Sequence, residues 1–334
     1  MDGEDGLAAA LSLLPKLQYL SLKLNYGIEY EECSHECPVL MSCPGSVLQG
    51  LHQLTYLKLA LLDLGESDGH HAVQHLQGLT GLRDLLLSAL NLAQTHNIEA
   101  SVLSGMSQLT CSKLTGCKPH GCILFAPGAL AHKTQLQHLE AQACKIAGGS
   151  EGIGSLLCQL QQQQQLTRLS LRYTLEDDVS LVPAAAYSAL TASSKLQHLD
   201  ISHNKLPASV WEHVFPTGGL LPHLLVLHIS DVQHPSGFAA APEGSRLVSC
   251  CPGLQSLHKE RLLYNGGLLD PLSRLSGLHK LAVRPTAEHL GWEGLDVLYQ
   301  LTTLRRLDIA GCWKEDDVLL QLTQLKHLTC LRLD

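Results

Sequence analysis

Residues 298–309 read Leu-Tyr-Gln-Leu-Thr-Thr-Leu-Arg-Arg-Leu-Asp-Ile, and two apolar spacings follow each other in this stretch. Leu298, Leu301 and Leu304 lie three residues apart, which is the spacing of one side of an α-helix or 3₁₀ helix. Leu307 and Ile309 then lie two residues apart, as on one face of a β-strand. The stretch therefore predicts a helical turn that runs directly into a short strand.

The strand part of this stretch belongs to a pattern, L-x-x-L-x-L, that occurs twelve times along the chain. Its second position is leucine in every copy except one, which has Ser112. Its third position is apolar in every copy except one, which has Lys259. The copies are about 28 residues apart on average, so the chain is an array of repeats. They begin at Leu17, Leu54, Leu82, Leu109, Leu136, Leu166, Leu196, Leu224, Leu254, Leu278, Leu304 and Leu328.

Leucine makes up 73 of the 334 residues, whereas phenylalanine, tryptophan and tyrosine together make up 14. Leucine must therefore fill the core, which differs from the mixed aliphatic and aromatic core of a compact enzyme of this size. One strand and one short helix cannot bury an apolar face alone. Neighbouring repeats are therefore expected to stack and to share one continuous leucine core.

On these residues the chain resembles the leucine-rich repeat family over positions 17–334. The family pattern continues with Asn or Cys three residues after the last leucine, and this chain has Cys117, Cys144, Cys312, Asn25 and Asn204 there. The repeat length is similar to that of the ribonuclease-inhibitor-like and cysteine-containing subclasses. The resemblance implies an α/β solenoid of horseshoe shape, with a parallel β-sheet inside and short helices outside.

The sequence predicts two regions. Residues 1–16 contain an apolar segment that favours an N-terminal helical cap, and residues 17–334 form one domain of twelve repeats with an insert near 27–47. The chain ends within the last predicted strand, so we expect the C-terminal end of the leucine core to have no capping unit.

The charge balance excludes several classes of partner. The formal net charge is −8 and the isoelectric point is about 6.1, so no positive surplus is available for nucleic acid or an anionic membrane. The N-terminus is acidic where a secretory signal is basic, and no Asn-x-Ser/Thr sequon occurs. We expect a cytoplasmic protein, with a nuclear or cytoskeletal and axonemal association left open.

Two kinds of motif suggest catalysis but have a structural interpretation. Residues 176–178 and 315–317 are acidic clusters at equivalent repeat positions, and we expect them to cap helices. Residues 148–152, Gly-Gly-Ser-Glu-Gly, match the G-x-S-x-G string of a nucleophile elbow, but they fall at a repeat turn. Phosphate-binding glycine motifs are absent. The sequence thus predicts no catalytic residue and no cofactor.

Three polar segments contain residue types that bind metals or lie on solvent-exposed surfaces. Cys33, Cys37 and Cys43 lie in the overlong repeat but lack the spacing of a structural zinc site. His70, His71 and His75 lack the glutamate of a zinc protease helix, so a solvated helix is expected. Residues 161–165 are all glutamine and are expected on the outer side of a repeat, where nothing packs on them. No metal site is predicted from these segments.

The strand residues between the leucines are expected on the concave face, because successive strand side chains point to opposite faces. Ser170, Asp200 and His228 occupy the same position in successive repeats, but a catalytic triad needs its base in the middle, whereas Asp200 is in the middle here. Asp200, His228 and His258 are an alternative group for a metal or a pH response. A solvated ladder of polar side chains is the favoured interpretation.

The expected function is protein binding on the concave face, by a monomer or by a component of a hetero-complex. A second possibility, the substrate-recognition part of an SCF-type ubiquitin ligase, conflicts with the 16 residues before Leu17, which are too few for an F-box. A GTPase activator or an enzyme is a minor alternative. The predicted contact residues are large tyrosine, arginine and histidine side chains, namely Tyr19, Tyr56, His138, Arg168, Arg172, His198, His228 and Arg306.

Overall fold

A computed structural model describes residues 11, 13–25, 48, 51–62, 75–90, 98–116, 123–125, 128–175, 179–207, 209–234, 242–262, 269–285, 298–309 and 322–333. These residues form two compact units, 1–166 and 167–334, which we call unit 1 and unit 2. Several predictions lie outside the described residues. They concern the two acidic clusters, the cysteines of the insert, Cys117, Cys312, His70, His71 and the side chains of Asn25 and His75.

In the described part of unit 1, five strands form a parallel sheet. In order they are β1 (Tyr19–Asn25), β2 (Tyr56–Leu62), β3 (Asp84–Leu90), β5 (Cys111–Thr115) and β7 (His138–Gln142). A second parallel sheet joins β4 (Ile98–Glu99), β6 (Ile123–Phe125) and β8 (Cys144–Ile146), and the sequence did not predict it.

In the described part of unit 2, seven strands form a parallel sheet. They are β9 (Arg168–Ser170), β10 (His198–Asp200), β11 (Val226–His228), β12 (Ser256–Leu262), β13 (Lys280–Pro285), β14 (Arg306–Ile309) and β15 (Cys330–Leu333). The second position of each repeat pairs with the same position of the next, from Leu169 to Leu331. Every predicted copy thus supplies one strand, and each unit is an α/β leucine-rich repeat solenoid.

Where the structure describes the segments between these strands, they are short helices and turns. The α-helices with described bounds are α1 (Gly149–Gln161), α2 (Val210–Val214), α3 (Gly244–Cys250) and α4 (Leu269–Leu272). The 3₁₀ helices cover His75–Gly78, Ala100–Gly105, Val179–Leu181, Ala184–Thr191 and Leu298–Gln300. Three residues per turn bring every third leucine to the same side, which explains the three-residue spacing in the turns before β3 and β14.

The core lies between the strands and the helical turns. In the repeat that contains residues 298–309, the backbone N–H of Leu301 bonds to Leu298 and that of Leu304 bonds to Leu301. These leucines, with Leu307 and Ile309, are at most 3 % exposed. Burial of one such side chain stabilises the fold by about 1.5–3 kcal/mol. In β15, at the edge of its sheet, the core leucine Leu331 is 40 % exposed.

The Asn/Cys position bonds successive turns together. Asn204 is 1 % exposed, and its Oδ1 accepts hydrogen bonds from the backbone N–H groups of Thr174 (2.9 Å) and Leu175 (2.8 Å). Its Nδ2 donates to the carbonyl oxygens of Leu171 (2.7 Å) and Ile201 (2.8 Å). The turn residues thereby obtain the backbone partners that their irregular conformation would otherwise lack.

In unit 1, Cys144 occupies the Asn/Cys position. It is buried, and its Sγ lies 3.7 Å from the carbonyl oxygen of Leu114 and 3.5 Å from that of Gln142. The thiol is a weak donor to both carbonyls. Asn204 and Cys144 thus both contact backbone carbonyl groups from the position where the family pattern has Asn or Cys.

The glycine-rich segment at residues 148–152 starts helix α1. Gly148 has a φ of 83°, and a side chain at Gly152 would collide with the backbone oxygen of Ala147, so both positions require glycine. The structural interpretation of this segment therefore agrees with its geometry.

The prediction that nothing packs on the glutamine run was wrong for Gln163. This side chain is 2 % exposed, and its Nε2 donates a hydrogen bond of 3.2 Å to the carbonyl oxygen of Leu130. Gln159, in the turn before, accepts a bond from the N–H of Leu130 through its Oε1. These glutamines join α1 to a turn of the preceding repeat, because the side-chain amides bond both the N–H and the carbonyl group of Leu130 there.

Candidate functional site

The open face of each sheet is the side on which strand side chains point away from the leucine core. The first residues of the strands form a strand-start row. In unit 1 the row consists of Tyr19, Tyr56, Asp84, Cys111 and His138, and in unit 2 of Arg168, His198, Val226, Ser256, Lys280, Arg306 and Cys330. Seven of the eight predicted contact residues are on the open face, six in this row and His228 at the third position of β11.

Arg172 is the exception among the predicted contact residues. It lies two residues beyond the end of β9, in the turn that follows the strand. Its guanidinium contacts the Nε2 of His203 at 3.1 Å and lies 5.3 Å from the ring centre of Tyr173. It therefore lies outside the strand rows, because β9 ends at Ser170, and its role as a contact residue stays a prediction.

In unit 1 the open face presents an aromatic pair and an ion pair. The rings of Tyr19 and Tyr56 stack at 4.2 Å, and Tyr19 is 58 % exposed. Lys113 and Glu140, on neighbouring strands, form an ion pair of 3.2 Å. Stacking orients the tyrosine rings without removing them from solvent, so this end of the sheet offers a preformed aromatic surface.

In unit 2 the open face carries a cluster of imidazole and carboxylate groups, which we call the His-Asp-His cluster and define as His198, Asp200 and His228. The Oδ2 of Asp200 lies 3.6 Å from the Nδ1 of His228. The rings of His198 and His228 meet edge to face at 5.1 Å, and His258 contacts His228 in the same way at 5.3 Å. One ligand atom from each of the three cluster residues lies within 4.8 Å of the other two.

Strand geometry explains the cluster. His198 and Asp200 are two residues apart in β10 and therefore point to the same face. Parallel register places Asp200 directly beside His228 of β11 on one side and beside Ser170 of β9 on the other. This order agrees with the exclusion of a catalytic triad, because Asp200 separates the serine from the histidine.

The residue Ser202, which follows β10, holds the carboxylate of Asp200 in place. Its Oδ1 accepts a hydrogen bond of 3.0 Å from the backbone N–H of Ser202. Burial favours the neutral acid and raises the pKa of Asp200, but bonding to His228 and to the backbone and hydroxyl of Ser202 outweighs burial and lowers it to about 2. Asp200 is therefore an oriented carboxylate that is ionised at neutral pH.

A second row follows the strands, and sequence reasoning missed it. Tyr173, His203 and Asp231 occupy equivalent turn positions with φ angles of 55°, 58° and 50°. Tyr173 stacks on His203 at 4.1 Å, and the Nδ1 of His203 lies 3.4 Å from Asp231. Aligning the residues two positions after the third core position would have brought this row together.

Comparisons with known proteins identify no family for this chain. No family model and no curated protein matches it. Among solved structures it is similar to an internalin of Listeria monocytogenes, with 17 % identity, a TM-score of 0.47, and coverage of 99 % of this chain and 94 % of the internalin. It is also similar to TLR13 in its complex with ssRNA13, with 18 % identity and a TM-score of 0.49.

The match to TLR13 covers 97 % of this chain but only 48 % of the TLR13 chain. Neither similarity bears on function. Among the described residues, no helix is both long and apolar enough to cross a bilayer.

Proposed function

We propose that this protein is a scaffold without catalytic activity of its own, which binds a partner protein through the open face of unit 2. The strand-start row carries this proposal. Three of its seven residues in unit 2 are cationic, Arg168, Lys280 and Arg306, and none is acidic, although the formal charge of the chain is −8. A positive row on a negative protein favours a partner with an acidic surface.

The row also has features that are unfavourable without a partner. Lys280 and Arg306 are direct neighbours in the parallel register, and like charges at such positions destabilise a sheet. The Nε of Arg306 is buried and makes no hydrogen bond to any residue in the described part of the chain. A carboxylate of a partner would relieve the repulsion and pair with the guanidinium.

Removing the basic and imidazole groups is expected to weaken binding. The partner is first captured from cells by proximity labelling or pull-down with the full chain. The double variant Arg168→Ala and Arg306→Ala, and separately His198→Ala, should then lower its affinity by at least about tenfold, as expected when hot-spot contacts at an interface are lost. The unfolding temperature should stay unchanged, because these side chains lie outside the leucine core.

A charge-matched control is Lys195→Ala combined with Arg274→Ala. Both residues are exposed and lie outside the strands, so this variant should bind the partner like the wild type. Rising salt should weaken wild-type binding more than binding by the double variant. Equal loss of binding in the control, or full binding by both open-face variants, would contradict the proposed surface.

The same capture experiment tests the more specific roles. Co-purification of ubiquitin ligase subunits would support a substrate-recognition role in an SCF-type ligase, and capture of a GTPase would support the regulator alternative. The scaffold proposal depends on neither. Turnover by the purified chain in hydrolase or nucleotide assays would contradict the absence of catalysis.

A further inference from the structure

We propose that His198, Asp200 and His228 form a binding site for one divalent transition-metal ion on the open face of unit 2. The sequence favoured a solvated polar ladder at this place and grouped Asp200 and His228 with His258. In the structure it is His198 that brings a ligand atom within 4.8 Å of the other two residues. The site does not depend on the proposed protein partner, because it is contained within the chain.

The distances are close to those of a metal site. Ligand atoms around a tetrahedral ion at about 2.1 Å lie roughly 3.4 Å from one another. Asp200 Oδ2 and His228 Nδ1 are already 3.6 Å apart. The wider span to His198 closes with a movement on the order of 1 Å, which rotation of an imidazole provides.

The carboxylate is positioned as metal ligands usually are. One oxygen of Asp200 is held by the N–H of Ser202, which leaves the other oxygen directed toward His228. Hydrogen bonds of this kind orient ligating groups and increase affinity.

The donor set indicates the class of ion. Two imidazole nitrogens with one carboxylate oxygen suit Zn²⁺, Co²⁺ or Ni²⁺, whereas Mg²⁺ and Ca²⁺ prefer oxygen ligands and Cu⁺ prefers thiols. Three protein ligands leave a fourth position for water or another group. Arg168 is the neighbour of His198 on the other side of β10 and is the positive charge that opposes binding.

The test is a titration of the full, chelator-treated chain with Co²⁺, followed by absorption, and with Zn²⁺ in competition. We expect one ion with a cobalt spectrum free of thiolate charge-transfer bands, which distinguishes this site from any formed by the 12 cysteines. Asp200→Asn should weaken that binding by at least about tenfold, the usual effect of losing a ligand or its support. Asparagine keeps an oxygen for the bond from Ser202, so the fold is preserved.

The matched control is Asp308→Asn. Asp308 occupies the same strand position in β14, where its lateral neighbours are Ala282 and Arg332 instead of histidine, and its variant should bind cobalt like the wild type. If Asp200→Asn fails to fold, His228→Gln tests the same site. Absence of thiolate-free cobalt binding by the wild type, or undiminished binding by the folded site variants, would overturn the proposal.

Discussion

Asn204→Ala is expected to lower the free energy of unfolding by about 3 kcal/mol or more, because each buried polar group left without a partner costs about 1–3 kcal/mol. The substitution removes all four hydrogen bonds of the side chain. It leaves the N–H groups of Thr174 and Leu175 buried without their acceptor. Urea unfolding of the full chain, followed by circular dichroism, measures the loss.

Asn204→Cys is the matched control for this prediction. A thiol donates weakly to carbonyl groups, as Cys144 does in unit 1, but it is a poor acceptor for the two N–H groups. The cysteine variant should therefore fall between the wild type and the alanine variant. A loss below about 1 kcal/mol for alanine would show that the turns do not depend on this side chain.

Lys259→Met is expected to raise the free energy of unfolding by about 3 kcal/mol at pH 7, because it removes a charge from the core. Lys259 is 1 % exposed and stands at the third core position, beside Val283 of the next strand. Burial lowers its pKa from 10.5 to about 8, and the charge of Asp231 offsets only part of this effect. Methionine matches the linear shape of the lysine stem.

The sign of the pH dependence follows from that pKa. Between pH 8 and 10.5 the unfolded chain holds a proton on this lysine that the folded chain has released. Stability due to Lys259 is therefore greatest above pH 10.5 and is lost as the pH falls to 8. The difference in stability between the methionine variant and the wild type should therefore shrink as the pH rises from 8 to 10.5.

Lys58→Met is the control for solvent-exposed lysine, because Lys58 is exposed on β2. It should change neither the stability nor its pH dependence beyond about 0.5 kcal/mol. Urea unfolding of the wild type, Lys259→Met and Lys58→Met at several pH values measures these differences in stability. A methionine variant at position 259 that is less stable than the wild type would contradict the account of this residue.

The repeat pattern predicted the strands well, for a physical reason. A leucine at each core position must face the same interior, so equal spacing in sequence becomes equal register in the sheet. Leu57 pairs with Leu85, and Leu199 pairs with Leu227, as the aligned copies require. Even the two irregular positions, Ser112 and Lys259, remain buried in their core columns, because their neighbours fix the backbone there.

The second sheet of unit 1 was not predictable in the same way. Its strands are only two or three residues long, which is too short to show an alternating pattern. The turn row was also hidden, because non-glycine residues such as Tyr173 and His203 rarely adopt positive φ. The side chain of Asn204 accepts hydrogen bonds from the two residues that follow Tyr173 and so supports the turn that contains it.

The candidate site was predicted in part. Alignment of the repeats placed Asp200 beside His228, and the register confirms this pair. The alignment brings together only residues at the same strand position. His198 and His228 occupy different positions and meet diagonally between the neighbouring strands β10 and β11. Long side chains on neighbouring strands reach such diagonal partners, which a position-by-position comparison overlooks.

Hydrogen exchange of the full chain, with and without the captured partner, tests whether this partner binds the open face of unit 2. We expect the partner to slow exchange in peptides covering β9, β10, β13 and β14, and to leave exchange in α2 and α3 unchanged. Protection confined to α2 and α3, with unchanged exchange in the four strands, would contradict it.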